Sequence, residues 1–80
     1  MTDEFSVWLF FPDGSHVAEA RWLEDKEAIR LARDVIARPA AKAGLIKRVI
    51  ITDGGDFTVF EWVEGQGVTW PVLFPASGKN

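Results

Sequence analysis

Cysteine is absent from this chain of 80 residues, and its absence removes two common ways of stabilising a small protein. Without thiols there is neither a disulfide framework nor a cysteine-ligated zinc site. A domain of this length buries only about 60% of the surface that its unfolded chain exposes, so its stability is marginal. Oligomerisation is the natural remaining device, and we therefore expect a homodimer.

Long apolar runs and catalytic motifs are also missing. No stretch approaches the roughly 20 apolar residues that span a membrane, and residues Met1–Glu4 lack the basic and apolar regions of a signal peptide. We therefore expect a cytoplasmic protein with no membrane partner. Histidine occurs once, at position 16, which leaves few groups for acid-base or metal chemistry.

Apolar and aromatic side chains, in contrast, are plentiful. Hydrophobic residues make up 48% of the chain, and they include four Trp and six Phe. This composition excludes intrinsic disorder of the whole chain. We expect one domain over residues 1–75, followed by a flexible tail over residues 76–80.

The first part of the chain predicts a β-hairpin. Residues that favour strands occupy Phe5–Phe11 and His16–Trp22, and Pro12–Gly14 supplies a turn. A two-residue loop would require the ring nitrogen of Pro12 to donate a hydrogen bond. We therefore predict a type I turn with Gly14 in the left-handed conformation, where it forms a bulge.

A helix is predicted from Asp25, the expected N-cap, to Arg38, because Pro39 cannot donate a helical hydrogen bond. Its apolar stripe and its polar face follow the helical period. A further turn is expected before Gly44, which suits a left-handed position ahead of the next strand. The apolar stripe consists of Ala28, Ile29, Ala32, Val35 and Ile36.

A second hairpin is predicted from Leu45–Thr52 and Phe57–Glu64. If Gly54 and Gly55 form a two-residue loop, the register follows directly. The predicted facing pairs are Thr52 with Phe57, Ile50 with Val59, Arg48 with Glu61, and Ile46 with Val63.

The fold predicted from these elements is α+β in the order ββαββ. The sheet is mainly antiparallel with four strands, most simply in the order 2-1-3-4, and the helix packs on one face. The segment Val68–Pro75 contains two prolines, which makes it an edge strand or an extended C-terminal arm. A helix about 10 Å across covers one face of the sheet and leaves the other uncovered.

The leading functional hypothesis is a small homodimerising binding or accessory module that uses an aromatic sheet face as its interface. An unidentified protein partner would satisfy the same face. The predicted interface residues are Trp8, Phe10, Phe60, Trp62 and, on the arm, Trp70.

An alternative function is anion or nucleic-acid binding through the region from Lys26 to Arg48, where basic residues concentrate. The formal charge of −3 argues against nucleic acid, because contacts to phosphates supply most of the affinity. The candidate residues are Arg30, Arg33, Arg38, Lys42, Lys47 and Arg48.

An enzyme is the third and least favoured class, and neither a catalytic residue, a metal site nor a cofactor is predicted. The carboxylates Asp13, Asp53 and Asp56 could join His16 around a metal only if the two hairpin turns came together. The predicted topology instead places the turns at opposite ends of the sheet.

Overall fold

The computed structural model describes residues 3–71. The expected α+β class is confirmed, and every strand pair is antiparallel. The predicted tail over residues 76–80, and the part of the predicted arm beyond Pro71, lie outside the described residues. The elements are β1 (Phe5–Phe10), β2 (His16–Leu23), α1 (Asp25–Ala37), α2 (Pro39–Lys42), β3 (Arg48–Thr52), β4 (Thr58–Val63) and β5 (Gly67–Trp70).

The sheet has five strands in the order β2-β1-β3-β4-β5, so the predicted count of four is wrong. The additional edge strand, β5, is formed by the beginning of the predicted arm. Val68, Thr69 and Trp70 favour extended structure. Pro71 has no N–H with which to continue the backbone hydrogen bonds between the strands. The relative order of the first four strands agrees with the prediction.

The predicted turn of the first hairpin is confirmed. Gly14 has φ of 91° and donates its N–H to the carbonyl of Phe11 at 3.0 Å. Phe11 in turn donates to the carbonyl of Ser15 at 2.9 Å, which closes the bulged loop. The Asp13 carboxylate accepts hydrogen bonds from the hydroxyl and the N–H of Ser15, and these bonds lower the pKa of Asp13.

The register of the second hairpin differs from the prediction. Asp56 takes the left-handed position with φ of 65°, and Asp53 donates to the carbonyl of Phe57 at 3.0 Å, so the loop holds one residue more than the pair Gly54–Gly55. A bulge between the pairs of β3 and β4 adds another residue at Val59. The observed pairs are Arg48 with Val63, Val49 with Trp62, Ile50 with Glu61, and Ile51 with Phe60.

The helix begins one residue earlier than predicted. Glu24, not Asp25, is the N-cap, because its backbone is extended and its carbonyl accepts the N–H of Ala28. The Glu27 carboxylate also accepts the N–H of Glu24 at 3.2 Å. The predicted end of the helix before Pro39 is confirmed, as is the left-handed conformation of the glycine at position 44.

The hydrophobic core lies between α1 and the strands β1 and β3. The small side chains of Ala28 and Ala32 face the sheet and let the helix approach it closely. On β4, Phe60 and Trp62 lie on the same side of the sheet but only flank this core. The helix therefore packs on β1 and β3 and leaves β2 on one side, and β4 and β5 on the other, less covered. The buried cluster is Val7, Leu9, Ala28, Ala32, Val35, Ala41, Ile46, Val49 and Ile51.

Candidate binding surfaces

The aromatic residues predicted as one interface lie on two sides of the sheet. On β1, Trp8 and Phe10 alternate with buried residues that contact the helix, so they lie on the open face. Phe60 and Trp62 pair with core residues of β3 and pack against the core on the helix side. The expectation that these four side chains share the open face is therefore wrong. Trp70, on the edge strand, is 49% exposed.

The open face carries a continuous row of alternating aromatic and basic side chains, which we call the ladder. The guanidinium carbon of Arg21 lies 5.2 Å from the ring centroid of Trp22 and 5.4 Å from that of Trp8. The Trp8 and His16 ring centroids are 5.8 Å apart, and His16 stacks on Phe10 at 5.1 Å. These spacings are typical of aromatic and cation–π contacts.

The ladder continues to the other edge of the sheet through polar contacts. The guanidinium carbon of Arg48 lies 4.9 Å from the Phe10 ring centroid, and Arg48 also donates to the Glu61 carboxylate. Thr69 on β5 donates its hydroxyl to the same carboxylate at 2.7 Å. The hydrogen bond from Thr69, followed by that from Arg48, lowers the pKa of Glu61 despite its partial burial.

The ladder covers much of the sheet face that has no helix above it. Ser6, Ile50 and Thr52 lie on this face, yet each is less than 9% exposed. Long guanidinium side chains lie across the rings and keep their charged ends in water. The open face, which was expected to be uncovered, is therefore largely covered by the chain's own residues.

Trp22 is the exposed end of the ladder and has an unusual backbone conformation. Its φ is 62°, and its side chain is 67% exposed. Between the pairs Phe5 with Leu23 and Val7 with Ala20, β2 has two residues where β1 has one, so Arg21 and Trp22 form a bulge. A bulge re-aims side chains. A bulky residue in the left-handed region costs about 1–2 kcal/mol.

A second surface, which we call the helix-side groove, lies where α1 leaves β4 and β5 uncovered. One cavity has a volume of about 520 Å³, and a second of about 370 Å³ adjoins it. Both cavities are lined by Ile29, Phe60 and Pro71. Arg33 lines the first cavity and Asp25 the second, so the groove carries opposite charges at separate positions. The remaining walls include Ile36, Trp62 and Val68 in the first cavity, and Phe5, Ile51 and Val59 in the second.

The basic residues predicted as an anion site do not form one patch. Arg38 forms ion pairs with Glu19 at 3.1 Å and Asp34 at 3.2 Å, and its hydrogen bonds to both raise its pKa. Lys47 lies 3.6 Å from the Glu64 carboxylate, and Arg48 belongs to the ladder on the open face. The exposed residues Arg30, Arg33 and Lys42 remain on the helical segment.

The groups considered for metal chemistry stay apart. Phe10 pairs with Arg48 at one end of β3, beside the first turn, whereas the second turn follows the other end of that strand. Within residues 3–71, no three His, Asp or Glu side chains come close enough to hold a metal ion. His16 contacts two aromatic rings instead.

No helix in the described part of the chain is long and apolar enough to cross a bilayer. Comparisons with protein-family models, with curated proteins and with solved structures gave no match. Function must therefore be inferred from the two surfaces, the ladder and the helix-side groove.

Proposed function

We propose that the protein is a small homodimerising interaction module and that its contact surface is the helix-side groove rather than the open sheet face. The observation that carries this proposal is the off-centre position of α1, which packs on β1 and β3 and leaves an apolar groove over β4 and β5. Contiguous apolar surface that a domain leaves exposed favours association with a partner.

A second copy of the chain suits the groove for an energetic reason. The domain is small and has no cysteine, so burial of further apolar surface between two copies adds the stability that one core supplies only marginally. Ile29 on the helix and Val68 on the edge strand are each 45% exposed at this surface. A two-fold dimer would bury both residues twice.

The charges of the groove also favour self-association. Asp25 and Arg33 lie on the same helix, eight positions apart, or about 12 Å along its axis. In a two-fold dimer with antiparallel α1 helices, Asp25 of each copy would approach Arg33 of the partner subunit. Complementary charges of this kind fix the orientation of an interface.

The test is the solution mass of the full chain, measured by light scattering on a size-exclusion column over a wide range of concentration. We expect a dimer for the unchanged chain and a monomer for Val68→Asp, because the interface would bury the new carboxylate. Val17→Asp is the matched control. Val17 lies on the other edge strand, on the same side of the sheet, and is 46% exposed against 45% for Val68.

Two results would overturn the proposal. One is a monomer at every concentration of the unchanged chain. The other is a Val68→Asp variant that dimerises as strongly as the unchanged chain. Circular dichroism of both variants checks that each aspartate leaves the fold intact.

A further inference from the structure

We propose that Trp22 and Arg21, at the exposed end of the ladder, form a binding site for a nucleobase that carries a phosphate. The base would stack on the Trp22 indole, and the phosphate oxygens would accept hydrogen bonds from the Arg21 guanidinium. This site is on the open face at the β2 edge, whereas the helix-side groove is over β4 and β5. The inference is therefore independent of the proposed dimer.

The backbone at Trp22 is the first argument. A tryptophan with φ of 62° is strained, and a side chain that is 67% exposed recovers little of that cost by burial. Glycine or asparagine would adopt the same conformation more readily. The bulge keeps an indole at the surface where a flat ligand can reach it.

The environment of Arg21 is the second argument. Its guanidinium lies over the rings of Trp8 and Trp22, which restricts the orientation of this long side chain. Among the described residues, no carboxylate forms an ion pair with Arg21 and no acceptor takes a hydrogen bond from its guanidinium. The planar set of N–H donors is therefore available to an external oxyanion, for which arginine is well suited.

Together these two residues select the ligand class. An exposed indole binds any flat ring, and an oriented guanidinium binds any oxyanion, but a nucleotide unit engages both at once. Within the strands of the sheet, the carboxylate on the open face is Glu61, which is bound by Arg48 and Thr69. The positive charge of Arg21 is therefore not offset by a neighbouring strand residue.

The formal charge of −3 sets the expected strength. Few phosphates would be contacted, so we expect weak binding with a shallow dependence on salt. A free nucleotide and a single strand both contain a base with a phosphate. The experiment distinguishes them by comparing a mononucleotide with an oligonucleotide. An oligonucleotide that binds more than tenfold tighter than its mononucleotide would identify the strand as the source.

The experiment follows the indole N–H signals of the four tryptophans by NMR while the full chain is titrated with AMP. We expect the Trp22 signal to shift and saturate, with adenosine and inorganic phosphate each requiring at least tenfold higher concentration. An oligo-dA of ten nucleotides provides the strand arm of the test. The titration is repeated on Val68→Asp, the variant expected to be monomeric. Equal AMP affinity there shows that nucleotide binding does not depend on dimerisation.

Trp22→Gly is the decisive variant because glycine fits the left-handed backbone and the fold should survive. We expect at least a tenfold loss of AMP affinity for Trp22→Gly and for Arg21→Gln, followed through the indole N–H of Trp8, whose ring Arg21 contacts. Trp70→Ala is the control, since Trp70 is also exposed but lies on the opposite edge strand. Absence of a saturable shift at low salt, equal affinity for Trp22→Gly, or an equal loss in Trp70→Ala would overturn the inference.

Discussion

The indole N–H of Trp8 donates a 2.9 Å hydrogen bond to the hydroxyl of Thr52, across 44 positions of sequence. The bond joins β1 to β3 on the open face, at the centre of the sheet. It gives Trp8 a polar partner on one side, while the Arg21 guanidinium lies over its ring. The open face is thus held by directional contacts as well as by apolar burial.

Replacing Thr52 with valine tests this contact. Valine keeps the shape of threonine but removes the acceptor, so the part-buried indole loses its partner. We expect the free energy of unfolding to fall by about 1 kcal/mol. Urea denaturation measures the change, and Thr58→Val on the exposed start of β4 serves as the control. Equal stability of the two variants would contradict a structural role for the hydrogen bond.

Glu61 should make stability depend on pH in the acid range. Its pKa is lowered in the folded protein, chiefly by the Thr69 hydroxyl and then by Arg48, so the folded state binds this proton less readily than the unfolded chain. The stability that the charged Glu61 carboxylate contributes is therefore complete above its unfolded pKa, and it is lost as the pH falls through the lower folded pKa.

The matched variant is Glu61→Gln, which retains an acceptor for Thr69 but has no charge for Arg48. We expect it to be less stable than the unchanged chain by about 0.5–1 kcal/mol at pH 7, and equally stable near pH 2. Chemical denaturation at both values of pH measures the difference. A difference that stays constant between them would exclude Glu61 as the titrating group.

Trp22→Gly should cost the fold little despite the loss of a large side chain. Relief of the left-handed strain stabilises the fold by about 1–2 kcal/mol. The greater freedom of glycine in the unfolded chain destabilises it by about 0.5–1 kcal/mol, and loss of the cation–π contact by a similar amount. These contributions nearly cancel, so we expect the free energy of unfolding to stay within about 1 kcal/mol of its original value. Thermal denaturation of Trp70→Gly, at a strand position whose backbone is not left-handed, should show clear destabilisation instead.

Local sequence signals predicted the turns and the helix well, with one instructive failure. Proline at position 12 excluded the short loop and left the bulged turn at Gly14, whereas nothing excluded a two-residue loop at Gly54–Gly55. Aspartate also tolerates the left-handed conformation, and Asp56 adopts it. Two added residues shifted the register by two positions, so residues 60–63 kept their predicted faces, whereas Val59, at the bulge, lies on the helix side instead of the side of Ile50.

The prediction that the four aromatic residues share one face was wrong, because the face of each strand residue depends on a pairing that no local pattern specifies. Both hairpins have bulky residues on each side, and only the register of β1 against β3 separates Trp8 from Trp62. The places of Arg21 and His16 in the ladder were missed for the same reason: each lies beside a β1 ring only because of the β1–β2 register and its bulge. The sequence signal for this site is an arginine directly followed by a tryptophan, at positions 21 and 22.

A charge exchange within the groove tests whether a second copy of the chain occupies it. Arg33→Glu would place a glutamate opposite Asp25 of the partner subunit, and Asp25→Lys would place a lysine opposite Arg33, so each variant alone should be weakened by two like-charge contacts. In a mixture of the two variants, both contacts become attractive. We therefore expect each variant alone to be monomeric at a concentration where the unchanged chain dimerises. When the two variants are mixed, we expect a heterodimer.

Native mass spectrometry distinguishes the mixed dimer from either homodimer by mass. A different partner protein in the groove would be affected by one or both substitutions, but mixing the variants would restore nothing. Lys26→Glu and Arg30→Glu, on the exposed helix surface beside these positions, are the controls for general charge effects. Restoration on mixing is specific to a two-fold contact, because only there does each copy present both halves of the pair.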